Sequence, residues 1–525
     1  MTELIATIVT LGALLAPPAF PSVVDEQEPL PPTVSGQRVS IAPIGDTRIE
    51  IGHVHYRGEV TVSGHEDGLA VVEATDVDTY LEGIAEVPFA WHPQALRAQA
   101  VAARTYLAWT LSRGRSASGR AYDYDICATT ACQVYSGVDL AEGSFGAPWR
   151  AAVSDTRHEV LMAEGSPAQA LYSSTSSGRT RNVEDVFPGA SPTFYLRAVD
   201  SPNEDSPFVE WKFEITEDEM ATLLDDAGLL EGELLGISTL VTGDGEGSWT
   251  VVIEGSEGRR RIGTWELRTA LNAAAAAVLP DRFPVMRPDV DRRYPQTILS
   301  PSFTVETIVR YRPPTGTVPM VRRSYLVRGG GWGHLVGMSQ FGAAALADRG
   351  MGYTDILAHY YGGLTPVEAP DALPDVVRVG LATELDELDV SSDGPVRVTV
   401  DDQVVEQVGL GGWSFEAVDG LLRARPPAGL GLEPSITGVR VVAGFFARPS
   451  ALAARLASAA EVRVSVFERG AWVPKTDWVV VEAGPVRWHW VSLVPPSRPT
   501  AIVRIDSRSP DGADTAIVAW ISGAE

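Results

Sequence analysis

The stretch PQALRAQAVAARTYLAWTLS, Pro93 to Ser112, constrains the fold of this 525-residue chain more than any other. Proline at a first turn supplies a helical φ and lacks only an N–H that the turn leaves unused, and alanine is the strongest helix former. The pattern predicts one long helix over Pro93–Ser112. Arg97 and Arg104 lie seven residues apart on it, two turns, and return to nearly the same face. Leu96, Ala100, Ala103 and Leu107 form the adjoining apolar stripe. Upstream, Asp78 is the expected cap of a shorter helix from Thr79, which carries Tyr80 and Ile84 on one face and is interrupted by Pro88 and Pro93.

Around these helices the chain has the texture of short strands. Val60 and Val62 alternate with polar neighbours, Gly64 to Gly68 makes a turn, and Leu69 to Val72 returns, which predicts a hairpin. Helical patches are expected near Glu217–Leu224 and Thr264–Ala277, separated by alternating segments such as Trp249–Ile253. After Pro374 the alternating sets Val396/Val398/Val400, Val439/Val441 and Val462/Val464/Val466 sit among Gly, Pro and Asp turns, which predicts an all-β region of sandwich type over 375–525.

Charge narrows the partners. With 42 basic and 68 acidic residues the net charge is −26, and no basic patch stands out, so nucleic acid and anionic lipid surfaces are not expected partners. Leu4 to Leu15 has the length of a signal-peptide core and leads into a Pro-rich stretch ending at Pro32, so 1–32 reads as leader and linker, although Glu3 stands where a basic start is usual. Export is the expectation, and no later apolar run has the length of a membrane span.

The residues that invite chemistry lie beside the long helix. Glu82 and Glu86 are four apart, and Glu86 adjoins the Val87–Pro88 break, where a helix end can deliver a side chain into a cleft. A carboxyl held among Val87, Phe89 and Trp91 would have its pKa raised and would serve as a general acid near neutral pH. The plainer reading makes Glu86 a solvated helix residue and the arginines surface charge. Gly329 to Gly333 lacks the Lys-Ser/Thr of a phosphate loop, and its glycines read as places of close backbone approach. His334, Ser339 and Gln340 read better as hydrogen-bonding residues of a cleft or turn than as a catalytic pair.

The stretch TYLEGIAEVPFAWHPQALRAQAVAARTYLA resembles the signature of the stage II sporulation protein D family, which also includes the amidase-enhancer proteins of bacterial cell walls. Four further blocks match in order: YSSTSSGRTRNVEDVF, FYLRAVDSP, RIGTWELRTAL and GGGWGHLVGMSQFGAAALADRGMGYTDILAHYYGG. Together they cover about Val54 to Pro366. The resemblance implies an α+β catalytic domain with mixed short strands and helices over 54–366, followed by the β-rich, sandwich-like domain. It also implies a lytic transglycosylase acting on peptidoglycan glycan strands freed of stem peptides, with Glu86 as acid/base. One carboxyl suffices, because the attacking group is the sugar's own C6 hydroxyl. By the same resemblance Arg97, Arg104, Tyr195 and Arg197 hold substrate, and His334, Ser339 and Gln340 line the glycan cleft. A cell-wall amidase is an implied partner, and the wall or cell surface the implied location. A non-catalytic amidase enhancer and a hydrolytic muramidase stand as alternatives.

The chain departs from the family pattern in a few places. The link before Glu86 is about two residues short, which leaves Glu82 as an alternative acid, and Ser177 and Leu335 stand where glycine is usual. Cys127 and Cys132 occupy the place where some relatives carry a Cys/His/Cys zinc element, but Ala131 replaces the histidine. A disulfide is the simpler expectation for an exported chain, a zinc pair completed by a residue such as His92 the alternative, and no other cofactor is implied. Trp488 and Trp490 would share one strand face, either as core or as a sugar-stacking surface.

Overall fold

The computed structural model describes residues 34–425 apart from breaks at 37, 203–204, 242–248, 288–290, 313–319, 395, 401–402, 408–411 and 419–420, and strand segments between 438 and 523. The expected leader and the Trp488–Trp490 stretch lie outside the described residues. Those that are described divide into two units. One comprises Glu86–Arg113 and Phe145–Leu373, and the other the strands up to Ala85, Gly114–Ser144 and the chain from Pro374 onward.

The first unit is organised by the Pro93–Ser112 helix, which forms over the expected residues. Burial goes beyond the expected stripe. Leu96, Ala100, Ala103 and Leu107 are fully buried, and so are Ala98, Val101 and Ala102 on the other faces. Alanine on most faces lets neighbours come close all round, and the helix packs with Ala147–Asp155, Gln340–Asp348, Tyr353–Tyr360 and the strand Glu159–Ala163. A second core in the same unit lies among the strands Trp211–Thr216, Met320–Gly329 and Phe303–Arg312, the three-stranded sheet Leu234–Val241, Trp249–Gly255 and Arg259–Gly263, and the helices Glu217–Asp226 and Thr264–Val278. The first of those helices starts in a capping box, Thr216 receiving the Glu219 N–H while the Glu219 carboxylate receives that of Thr216.

The second unit is built from sheets. The expected hairpin forms as Glu59–His65 and Gly68–Asp76, and Leu69, Ala70, Val71 and Val72 are all buried, as in a strand covered on both faces. Among the described residues this hairpin lies in a seven-stranded sheet that runs Gln403–Gln407, Val396–Val400, Arg38–Pro43, Glu59–His65, Gly68–Asp76, Val376–Leu385 and Ile126–Cys127. Only the last strand pairs in parallel. Val376–Leu385 and Val396–Val400 thus pair with N-terminal strands in this sheet, whereas the strands carrying Val439/Val441 and Val462/Val464/Val466 belong to a separate one. Among the described residues the regular elements beyond Pro374 are strands. The short helix Val77–Glu82 follows Gly68–Asp76 directly, and its cap is Asp76, which receives the Thr79 N–H at 2.9 Å, rather than Asp78. Among the described residues no helix is long and apolar enough to cross a membrane.

Candidate functional site

Glu86 occupies the bend that leads into the Pro93–Ser112 helix, four residues beyond Glu82, which ends the Val77–Glu82 helix. The three residues before it, Gly83 to Ala85, are held by the loop that follows Cys127. Ser136 N donates to Gly83 O at 2.9 Å, Ala85 N donates to Val134 O at 3.1 Å, and Ile84 bridges Tyr135. Cys127 and Cys132 are joined in a disulfide within that loop, so their sulfurs are not the thiolates that a zinc pair requires. His92 instead caps the long helix, its Nδ1 accepting the Gln94 N–H at 3.2 Å.

After Glu86 the chain is anchored by apolar packing. Val87 and Phe89 are buried, Phe89 stacks on Trp149 with ring centroids 5.6 Å apart, and Trp91 meets Phe341 edge-on at 5.0 Å. Glu86 itself is half-buried, with its Oε2 shielded from solvent. Its charge reaches Tyr106, whose phenol is pushed up by burial first, with Thr110 opposing and Glu86 reinforcing.

The two arginines of the long helix do share a face, but they turn to a neighbouring helix. Arg97 donates to Asp155 Oδ2 at 2.6 and 3.2 Å. Arg104 is 2% exposed, and its guanidinium donates to Val153 O at 2.9 Å, to Thr156 O at 2.6 Å and to Glu159 O at 3.4 Å. These carbonyls lie at and just beyond the end of Ala147–Asp155, where Thr156 O also accepts from Glu159 N at 3.0 Å and Val153 O from Thr156 Oγ1 at 3.5 Å. In this structure Arg104 braces a helix end.

Ser339 and Gln340 are likewise buried within the protein. Ser339 is 1% exposed and caps Gln340–Asp348 by accepting the Gly342 N–H, and Gln340 is buried with its Nε2 3.5 Å from Gln99 Oε1. His334 lies against Phe187 at 5.6 Å and Trp265 at 6.5 Å, and its Nδ1 accepts the Val336 N–H. Burial pushes its imidazole down to about 4, with the Arg268 charge reinforcing, so the ring is neutral at physiological pH. It is placed as a fixed hydrogen-bonding ring. The glycines before it do permit close approach: at Gly331, with φ +82°, a Cβ would lie 2.5 Å from Thr175 O.

Tyr195 and Arg197 lie on a turn after the short helix Val183–Val186. The Tyr195 hydroxyl accepts the Gln169 N–H at 3.0 Å, and Phe194, 54% exposed, meets the Tyr195 ring edge-on at 5.2 Å. Arg197 pairs with Glu184 on that helix, and Asn182 ties the two segments together by accepting the Ala198 N–H at 2.9 Å. Glu184 is the participant that sequence reasoning missed. Its signal was the acidic element of NVEDVF, seen as part of a block but given no task.

Comparisons with known proteins find similarity to one group of bacterial proteins. The family model described as Stage II sporulation protein matches residues 65–162, which hold the second strand of the hairpin, Glu86 and the long helix. Stage II sporulation protein D of Bacillus amyloliquefaciens is 28% identical over 312 residues, 58% of this chain and 77% of the relative. The amidase enhancer of Bacillus subtilis (strain 168) is 28% identical over 295 residues, 53% of this chain and 39% of that protein.

Proposed function

We propose that this chain, which is similar to stage II sporulation protein D and amidase-enhancer proteins, is a lytic transglycosylase of peptidoglycan, acting at the cell wall on strands freed of stem peptides. The observation that carries the reading is Glu86, whose carboxyl is partly withdrawn from solvent on a bend anchored by the buried Val87 and Phe89.

In this reading the protonated Glu86 gives its proton to the glycosidic oxygen as the bond to C1 of N-acetylmuramic acid breaks. The resulting carboxylate then takes the proton from the C6 hydroxyl of the same sugar, which closes on C1 to form the 1,6-anhydro ring. The acid is restored and no water is consumed. Because the nucleophile is already part of the bound sugar, the entropic advantage of an intramolecular attack is built in. Arg197 and Tyr195 orient the sugar, Arg197 with a half-exposed guanidinium, while Arg104 keeps the scaffold in register.

Digestion of stem-peptide-free glycan strands by wild type and Glu86→Gln, read by mass spectrometry, tests this. Anhydro-ended products from wild type alone, with activity lost by at least 1,000-fold in the variant, are expected as the order of magnitude for removing a general acid. Reducing-end products would make the protein a hydrolase. The name of the Bacillus subtilis relative supports a second reading, an enhancer of a cell-wall amidase. Intact strands that stay bound to folded protein would favour that reading.

A further inference from the structure

We infer that Glu184 is a specificity-determining residue, which together with Arg197 reads the 2-acetamido group of a bound sugar, while Phe194 supplies an apolar ledge beside them. This inference rests on the saccharide-binding part of the proposed function.

The pair is built to meet a secondary amide. Arg197 offers N–H donors on a side chain 44% exposed, and only the one aimed at Glu184 is engaged among the described residues. Glu184 Oε1 faces Arg197, while its Oε2 is shielded from solvent and receives no hydrogen bond. A carboxylate oxygen without a donor is costly, and it is removed from water without compensation until a ligand supplies an N–H. A 2-acetamido group presents one carbonyl acceptor and one N–H donor side by side, which complements an arginine next to a carboxylate. Drawing the exposed Arg197 toward the ligand carbonyl opens the approach to Oε2.

The support around the pair is rigid. Asn182 donates to Asp185 Oδ2 at 2.7 Å and accepts from Ala198 N, which fixes the Val183–Val186 helix to the segment carrying Arg197. Val183 N also donates to Leu196 O. Phe194 begins the turn three residues before Arg197, and its ring is set by Tyr195, whose own hydroxyl is tied to Gln169. At Gly362 a Cβ would come within 2.8 Å of Tyr195 Cα and 3.0 Å of Phe194 O, so close packing of that glycine holds the turn from behind. An aromatic ring held this way, more than half exposed, suits the apolar face of a pyranose.

The experiment compares chitotetraose with cellotetraose, neutral β-1,4 tetrasaccharides that differ only in a 2-acetamido group replacing a 2-hydroxyl. Affinities are measured by titration calorimetry on wild type, Glu184→Ala, Glu184→Gln and Phe194→Ala, each checked for an unchanged melting curve. Wild type is expected to bind chitotetraose at least about tenfold more tightly, the scale of one charge-assisted hydrogen bond. Glu184→Ala should bring the ratio near one. Glu184→Gln, which keeps an amide oxygen of the same reach, should retain part of it. Phe194→Ala should weaken both ligands alike. Wild type that binds both alike or neither, or Glu184→Ala that keeps the ratio, overturns the inference. Binding needs neither bond cleavage nor Glu86, so failure of the transglycosylase reading would appear only in the digestion.

Discussion

In the unit built on the Pro93–Ser112 helix the deeply buried cation, Arg104, is wrapped in backbone carbonyls, whereas in the sheet unit the deeply buried carboxyl, Glu73, is held by a phenol and a backbone amide. Glu73 is 0% exposed, and it accepts from Gly58 N at 2.8 Å and from the Tyr135 hydroxyl at 2.7 Å. Tyr135 stacks on Tyr80, whose hydroxyl donates to Gln133 at 2.9 Å. An arginine keeps its proton at any ordinary pH, so its burial must be compensated by fixed acceptors. A carboxyl can instead take up a proton and become neutral. Burial pushes Glu73 up to about 7, against the opposing hydrogen bonds from Tyr135 and the backbone of Gly58 and Arg57. The buried arginine therefore keeps its charge, whereas the buried carboxyl changes charge near neutrality.

Removing the permanent charge should have the largest effect. Arg104→Ala removes the buried guanidinium and its bonds to Val153 O, Thr156 O and Glu159 O, and a loss of about 3 to 5 kcal/mol is expected by analogy with breaking a buried polar network. Chemical denaturation of the purified variant measures it. A variant that keeps full stability and loses only glycan affinity would return Arg104 to the binding site and erase the contrast.

The second effect is a pH slope of opposite sign in the two units. The folded pKa of Glu73 is raised, so the stability from its neutral form is full below the unfolded value of 4.5 and is lost as pH rises through about 7. A shift from 4.5 to about 7 corresponds to about 3 kcal/mol at high pH. His334 is lowered from 6.5 to about 4, so its contribution is full above 6.5 and is lost as pH falls toward 4. Hydrogen exchange read separately at Gly68–Asp76 and at Gln340–Asp348 should show protection falling toward alkali in the first and toward acid in the second. Glu73→Gln should flatten only the first slope. If both segments respond alike, the contrast between the units fails.

The sequence revealed these features unevenly. The Pro93 helix was legible to its last residue, because proline and alanine act locally. The hairpin was legible because the alternating valines and the glycine turn are also local signals. What Arg104 and Gln340 touch was not, since the partners lie 52 and 241 residues away. A motif match says that a residue is kept but not whether it meets substrate or a helix end. Glu73, a charge inside the apolar run LAVVEATD, was a visible anomaly whose explanation required Tyr135, 62 residues on. The sheet partnership across residue 375 was equally non-local, since alternating valines show a strand but not its neighbour.

The smallest effect concerns the two positions where glycine is usual, and it separates backbone strain from burial. Ser177 has φ +65° and Leu335 φ +66°, in the left-handed region that non-glycine residues enter at a cost. At Ser177, half-exposed, little is lost by removing the side chain, so Ser177→Gly is expected to stabilise the protein by about 1 kcal/mol. At Leu335, 1% exposed, the same relief is set against burial of a whole leucine side chain, whose truncation typically costs about 2 to 5 kcal/mol. Leu335→Gly should therefore lower the melting temperature while Ser177→Gly raises it. Equal responses would mean that neither burial nor strain distinguishes the two sites. Opposite responses would show that the chain left the glycine pattern at Leu335 for a packing gain that it does not have at Ser177.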